Sequence, residues 1–270
     1  MKFISFRHSG KIHSGALQGD VVHPLRHDLL THIAFGDKHP ALSGESFPLS
    51  DVELLAPLLN PPRIFGIGLN YQEHAAESKM KVQEVPTVFL KLQSSICGPG
   101  ADVLLPANAT QPDYEAELAV VIGKGGHHIS AGDWQQHVFG YTIINDVSAR
   151  GVQLATSQWT LGKSFPTFTP MGPHIVTTEE VPDPHSLDIK LTLSGEVMQH
   201  ANTRDLIFRV PELIAYLSSI VPLEPGDIIS TGTPPGVGLG RNPRRWLLDA
   251  EDMLIDIEHI GTLRNRTRII

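Results

Sequence analysis

Short apolar runs of strand length, broken by Gly, Pro, Asn and Asp, recur along most of this chain. They predict many strands joined by tight turns. Three such pieces, Phe3 to Phe6, Ser14 to Leu17 and Val21-Val22, fall in the first 56 residues. The run Leu58-Leu59-Asn60-Pro61-Pro62 then interrupts the pattern, which resumes at Arg63, and such a proline pair marks a boundary. The expected organisation is a small N-terminal cap domain over residues 1–60 and a larger domain over 61–270. Beyond the boundary, Glu117 to Ile122 and Phe139 to Ile144 read as strands, without the long helices that alternate with strands in a doubly wound fold. One clear helix covers about Val210 to Ser219, with Val210, Leu213, Ile214 and Leu217 on one stripe and Pro211 near its start. The fold class is therefore α+β, predominantly β.

Composition narrows the picture. A chain of 270 residues with 41% hydrophobic content can bury a substantial core and is not disordered. Its 24 Gly and 21 Pro argue against a helical bundle. With 21 Lys and Arg against 29 Asp and Glu, the net charge of −8 repels nucleic acid and anionic membranes, so neither is an expected partner. No apolar run approaches the roughly 20 residues of a membrane-spanning helix. Met1 to Arg7 lacks the apolar stretch of a secretory signal. The lone Cys97 permits neither an internal disulfide nor a thiolate metal cluster, and a soluble protein in a reducing, cytoplasmic setting is expected. Five histidines between His8 and His32 read as polar surface, and Arg264, Arg266 and Arg268 as one solvated face of the last strand. Gly66-Ile67-Gly68 lacks a third glycine at the right offset and the Gly232 to Gly240 loop lacks a Lys-Ser or Lys-Thr pair, so neither is a nucleotide fingerprint.

The candidate chemistry begins at Asp113-Tyr114-Glu115-Ala116-Glu117, which leads into the apolar strand ending at Ile122. In a strand Glu115 and Glu117 point to the same face, with backbones about 7 Å apart. Burying two carboxylates side by side without a cation raises at least one pKa and costs several kcal/mol; a divalent ion removes that cost. A third acid, Asp146, follows the next strand, Val138 to Ile144. Three oxygen ligands suit Mg²⁺, Mn²⁺ or Ca²⁺ better than Zn²⁺ and leave coordination positions for water or a chelating substrate.

A candidate base lies in Gly68-Leu69-Asn70-Tyr71-Gln72-Glu73-His74-Ala75-Ala76-Glu77. Asn70 and Glu73 are spaced as an N-cap and its capping-box partner, which predicts a helix with His74 and Glu77 on one face. A helix N-terminus and a nearby cation favour the neutral imidazole that can accept a proton. Glu77 can fix its tautomer and stabilise the imidazolium.

Seven ordered blocks resemble the fumarylacetoacetate hydrolase family over nearly the whole chain after Arg63. They are Gly68 to Glu77, Asp113 to Glu117, Asn145 to Arg150, Leu161 to Phe165, Pro170 to Pro173, Gly232 to Gly238 and Gly261 to Asn265. The resemblance implies a mixed β-sheet roll or sandwich as catalytic core within residues 61–270, and usually a homodimer. It implies Glu115, Glu117 and Asp146 as metal ligands, His74 and Glu77 as the water-activating pair, and Lys163 as the cation at the developing oxyanion. Gln153 and Thr233 would face the substrate. Many relatives carry an acid where this chain has Gly151, and another where it has Pro166, which bears on substrate choice.

The function expected is a metal-dependent hydrolase that cleaves the C–C bond of a β-diketo acid such as an acylpyruvate, through water activated by His74 and Glu77 and a metal-stabilised enolate. Oxaloacetate-type decarboxylation, or hydration or isomerisation of a 2-oxo-enoic acid, could use the same platform. A catalytically silent metal-carboxylate binder is the rival from another class.

Overall fold

Every position of the strand Ala116–Ile122 is buried, because both of its faces are covered. Ala119 and Val121 pack with Phe3, Phe139, Ile175 and Ile228, while Leu118 and Val120 pack with Ile143, Leu191, Leu213 and Ile255. Covering both faces explains why this strand reads as a continuous apolar run rather than an alternating one. The computed structural model describes residues 1–42, 44–77 and 83–270.

The large sheet runs in the order Phe47–Pro48, Val21–Pro24, Lys11–Gln18, Lys2–His8, Thr169–Thr177, Val138–Asn145, Ala116–Ile122, Ile228–Ser230, Ile64–Gly68 and Thr87–Lys91. Along this path the neighbours are antiparallel except Ile228–Ser230 beside Ile64–Gly68, which are parallel. A second sheet, Glu196–Asn202, Asp188–Leu193, Asp252–Ile257, Gly261–Ile269 and Asp102–Leu105, packs its Ile189, Leu191, Ile255 and Ile257 onto the first. Two stacked, largely antiparallel sheets with few helices give the α+β, mainly β fold that the sequence predicts.

The helix Val210–Ile220 has Pro211 in its first turn and buries Val210, Leu213, Ile214 and Leu217, the stripe read from spacing. In the last strand Leu263, Asn265 and Thr267 are buried while Arg264, Arg266 and Arg268 are exposed, so the alternating arginines do face solvent. Among the described residues no helix is long and apolar enough to cross a membrane.

The strands of residues 1–60 continue the large sheet, the first pairing Lys2 with Val176 and Phe3 with Ile175. One expectation about this segment is corrected. The five early histidines are not a uniformly solvated set: His32 is buried in the short helix Leu29–Ala34, and only His27 of the five is exposed. Clustered polar residues reveal little about burial when a helix, capped here by Asp28 accepting from the Thr31 N–H at 3.0 Å, folds them inward.

Candidate active site

The antiparallel register pairs Ala116 with Asn145 and Glu117 with Ile144, so Glu115 and Asp146 meet just beyond the paired ends. The Asp146 N–H donates to the Glu115 carbonyl at 2.8 Å. Carboxylate oxygens of Glu115, Glu117 and Asp146 all lie within 4.8 Å of one another, and the three residues are 4%, 1% and 0% exposed. The acids expected at a strand entry are thus buried together.

Buried cations hold two of the three. Lys163 Nζ lies 2.6 Å from Glu115 Oε2 and 2.7 Å from Asp146 Oδ2. Lys91 Nζ lies 2.5 Å from Asp146 Oδ1 and also donates to the Lys163 carbonyl. Arg150 donates to Glu115 at 2.6 Å, to Asp113 at 2.9 Å and to Gln153 Oε1 at 2.9 Å. Burial alone raises a carboxyl pKa, but Arg150 and Lys163 outweigh it at Glu115 and hold that group well below the usual carboxylate range. Burial pushes Lys91 down, against the pull of Asp146. The same carboxylates keep Lys163 above its ordinary value despite its own burial.

Glu117 is different. It accepts from the Ser230 hydroxyl at 2.6 Å and the Gly232 N–H at 3.0 Å, and among the described residues no cation touches it. Burial, with Asp146 and Glu115 adding to it, pushes its carboxyl up to about 8. Four carboxyls, Asp113, Glu115, Glu117 and Asp146, face three cations, Lys91, Arg150 and Lys163. Glu117 is therefore the one carboxyl of the four without a cation, and its raised pKa keeps it largely protonated at neutral pH. Three converging, buried oxygen donors, one of which gives up its proton when a positive charge arrives, fit a hard divalent cation.

The helix Gln72–Glu77 carries His74 and Glu77, with His74 Nδ1 and Glu77 Oε1 2.8 Å apart. The other Glu77 oxygen accepts from the Gly236 N–H at 2.9 Å. Asn70 does not cap this helix, contrary to the spacing. Its amide donates to the carbonyls of Phe208 and Thr231 at 2.9 and 2.7 Å, and its oxygen accepts from the Phe208 N–H at 2.8 Å. Glu73, the expected capping-box partner, is exposed. Three tertiary bonds outcompete one local cap, and they tie the start of the helix Gln72–Glu77 to the end of the strand Ile228–Ser230.

His74, Glu115, Glu117, Gln153, Lys163 and Thr233 line one narrow cavity, with Phe89 and Trp159 on its apolar wall. Asp146 and Glu77 stand behind this lining. Lys163, expected at the oxyanion, does face the cavity, but its ammonium is already shared by two acids and lies 5.0 Å from the Phe89 ring centre. Thr233 donates its hydroxyl to the Ala116 carbonyl at 3.0 Å and accepts from Gln199 at 2.8 Å. Sequence reasoning assigned no role to Lys91, Asp113, Arg150 or Gln199. Asp113 and Arg150 stood inside two of the family blocks, which was the available signal; Lys91 and Gln199 carried none.

Residues 63–268 match the C-terminal domain of fumarylacetoacetate hydrolase. The chain belongs to the fumarylacetoacetate hydrolase family. Residues 1–57 match a second family, the Rv2993c-like N-terminal domain. Among curated relatives of this family, the mitochondrial oxaloacetate tautomerase FAHD2A of Homo sapiens is 45% identical over 221 residues, covering 81% of this chain and 70% of its own. A fumarylacetoacetate hydrolase domain-containing protein 2 homolog of Dictyostelium discoideum is 44% identical over 238 residues, with 84% and 78% covered. A maleylpyruvate hydrolase from Sphingobium, solved with manganese(II) and pyruvate, superposes with a TM-score of 0.82 at 31% identity over all of this chain and 99% of that one. A 5-carboxymethyl-2-hydroxymuconate delta-isomerase from Mycobacterium smegmatis does so with a TM-score of 0.86 at 34% identity, both chains fully covered. The family thus spans tautomerases, hydrolases and isomerases.

Both departures from the usual family blocks lie outside the cavity lining. Pro166 is exposed. Gly151 packs against Thr110 so closely that a Cβ would sit 2.0 Å from its Oγ1; Thr110 occupies the room a side chain would need.

Proposed function

We propose that this fumarylacetoacetate hydrolase family enzyme moves a proton on the carbon next to the keto group of a short 2-oxo acid, interconverting the keto and enol forms of an oxaloacetate-like substrate. The observation that carries this reading is the His74 and Glu77 pair lining or backing the same cavity as the three-acid cluster. Proton transfer beside a chelated carbonyl is the least that such a pairing can do, and relatives 44–45% identical bear the name oxaloacetate tautomerase.

Glu115, Glu117 and Asp146 would hold the divalent ion, Mg²⁺ by expectation, with Mn²⁺ or Ca²⁺ as substitutes. When bound, the ion supplies positive charge that polarises the keto group and anchors the acid. His74, with Nδ1 engaged by Glu77, offers Nε2 to take the proton from carbon 3. The C–H electron pair becomes the C2=C3 bond, and the former carbonyl oxygen gains a proton. Glu77 balances the imidazolium formed in between, and general-base help by His74 is worth about 10²- to 10⁴-fold. Lys163 and Arg150, paired with the acids of the cluster, offset the charge of Glu115 and Asp146 and so limit the negative field that a developing enolate oxygen would meet. Phe89 and Trp159 shield that end from bulk water.

Hydrolytic cleavage of an acylpyruvate is the second reading, favoured by the likeness to a maleylpyruvate hydrolase. His74 would then take its proton from water, and the hydroxide would attack the distal carbonyl. Metal-loaded protein is assayed on both substrate types: enol absorbance for oxaloacetate, pyruvate release for a panel of acylpyruvates. The expected result is chelator-sensitive enol conversion, lost in His74→Ala with Mn²⁺ affinity retained. Pyruvate release without enol conversion overturns the first reading in favour of the second. A homodimer is the assembly expected, and light scattering after gel filtration measures it.

A further inference from the structure

The loop that follows the strand Ile228–Ser230 touches the metal acids and the base helix in turn. The Gly232 N–H reaches Glu117 at 3.0 Å, and those of Gly238 and Leu239 reach Asp113 at 2.7 and 3.0 Å. Between these anchors the Gly236 N–H holds Glu77 Oε2 at 2.9 Å. Gly240 closes over the same carboxylate. A Cβ built on Gly240 would lie 2.6 Å from Glu77 Cδ and Oε2 and 2.9 Å from Cγ, and these are its three nearest neighbours.

Gly240 does not need a left-handed backbone, since it is absent from the positive-φ glycines. Alanine therefore suits its conformation, and the three atoms nearest to its methyl group would all belong to the flexible side chain of Glu77. Gly236 is the contrasting case: its φ is +104° and a Cβ would meet the Met198 carbonyl at 2.1 Å, so its replacement strains the backbone itself.

We infer that Gly240 is a positioning residue of the acid–base pair: its bare Cα leaves the slot in which Glu77 is held between the Gly236 N–H and His74 Nδ1. With a methyl group in that slot, the Glu77 carboxylate swings away, and His74 loses the partner that fixes its Nδ1–H tautomer. The metal acids are untouched by this movement. The role rests on the proposed function for its kinetic consequence, though not for its structural one.

The test is Gly240→Ala, with Glu77→Gln and the double variant, in full-length protein. Ring ¹⁵N NMR of His74 in metal-free and Mg²⁺-loaded samples reads the tautomer. Wild type is expected as the Nδ1–H form, and Gly240→Ala as a mixture resembling Glu77→Gln. Turnover of Gly240→Ala should fall on the order of 10²-fold, with unchanged Mn²⁺ affinity by calorimetry. The double variant should be no slower than Glu77→Gln alone, because both changes remove one interaction. A wild-type tautomer in Gly240→Ala, or fully additive losses in the double variant, overturns the inference. Failure of wild type to turn over any 2-oxo acid overturns the functional reading instead, while the NMR comparison still decides for or against Gly240.

Discussion

Glu117 is the acid without a counterion, and its titration links stability to metal binding. Its folded-state pKa is raised, by burial first and by Asp146 and Glu115 next. The folded protein therefore keeps a proton that the unfolded chain has released, from the ordinary carboxyl range up to about 8. Stability from this group is full at low pH and declines as pH rises towards the folded pKa. Scanning calorimetry of metal-free protein is expected to show Tm falling between about pH 6 and pH 8, and excess Mg²⁺ to give its largest rise at the alkaline end. Glu117→Gln imitates the protonated group: at about pH 8 the metal-free variant should melt no lower than wild type, while Mn²⁺ affinity drops at least about 100-fold by titration calorimetry. The convergence of Glu115 and Glu117 was legible because a strand has a period of two. Their depth was not, since Lys91 looks like the polar side of an ordinary edge strand until Asp146 is seen 2.5 Å away.

Individual elements are held together by side chains whose partners lie far off in sequence. Arg150, at the start of the short helix Arg150–Gln153, bridges Asp113, Glu115 and Gln153. Replacing it with Met removes the cation shared by two buried carboxylates, and a loss of about 3–5 kcal/mol is expected in urea denaturation. Asn70 joins the base helix to two other segments by three hydrogen bonds. At about 1 kcal/mol each, Asn70→Ala should cost about 3 kcal/mol and slow turnover while Mn²⁺ affinity holds, which chemical denaturation and calorimetry measure together. The helix Val210–Ile220 was readable because its apolar stripe needs only local periodicity. Asn70 was misread because a capping box and a tertiary clasp use the same residue types, and only the partners distinguish them.

For the whole molecule, the pairing of Lys2–His8 with Thr169–Thr177 joins the N-terminal strands to the sheet that carries the site, which predicts that they unfold with it. Phe3 is fully buried with Phe139 at 5.3 Å between ring centres. Phe3→Ala is expected to destabilise by about 3–5 kcal/mol, and to do so in a single calorimetric transition; two separated transitions would show that the N-terminal strands unfold alone. The proline pair after Asn60 is a genuine pause in the pattern, yet the pattern of one segment carries no record of which distant edge it will pair with. The parallel neighbours Ile64–Gly68 and Ile228–Ser230 send both chains out over the same rim. One exit bears the helix of His74 and Glu77, and the other the glycine-rich loop that grips it. Both excursions stay fastened to the sheet, one by the Thr231 N–H on the Leu118 carbonyl and the other by the Asn70 amide on the Thr231 carbonyl, so any change in the spacing of those two strands would be felt at the histidine and its carboxylate together.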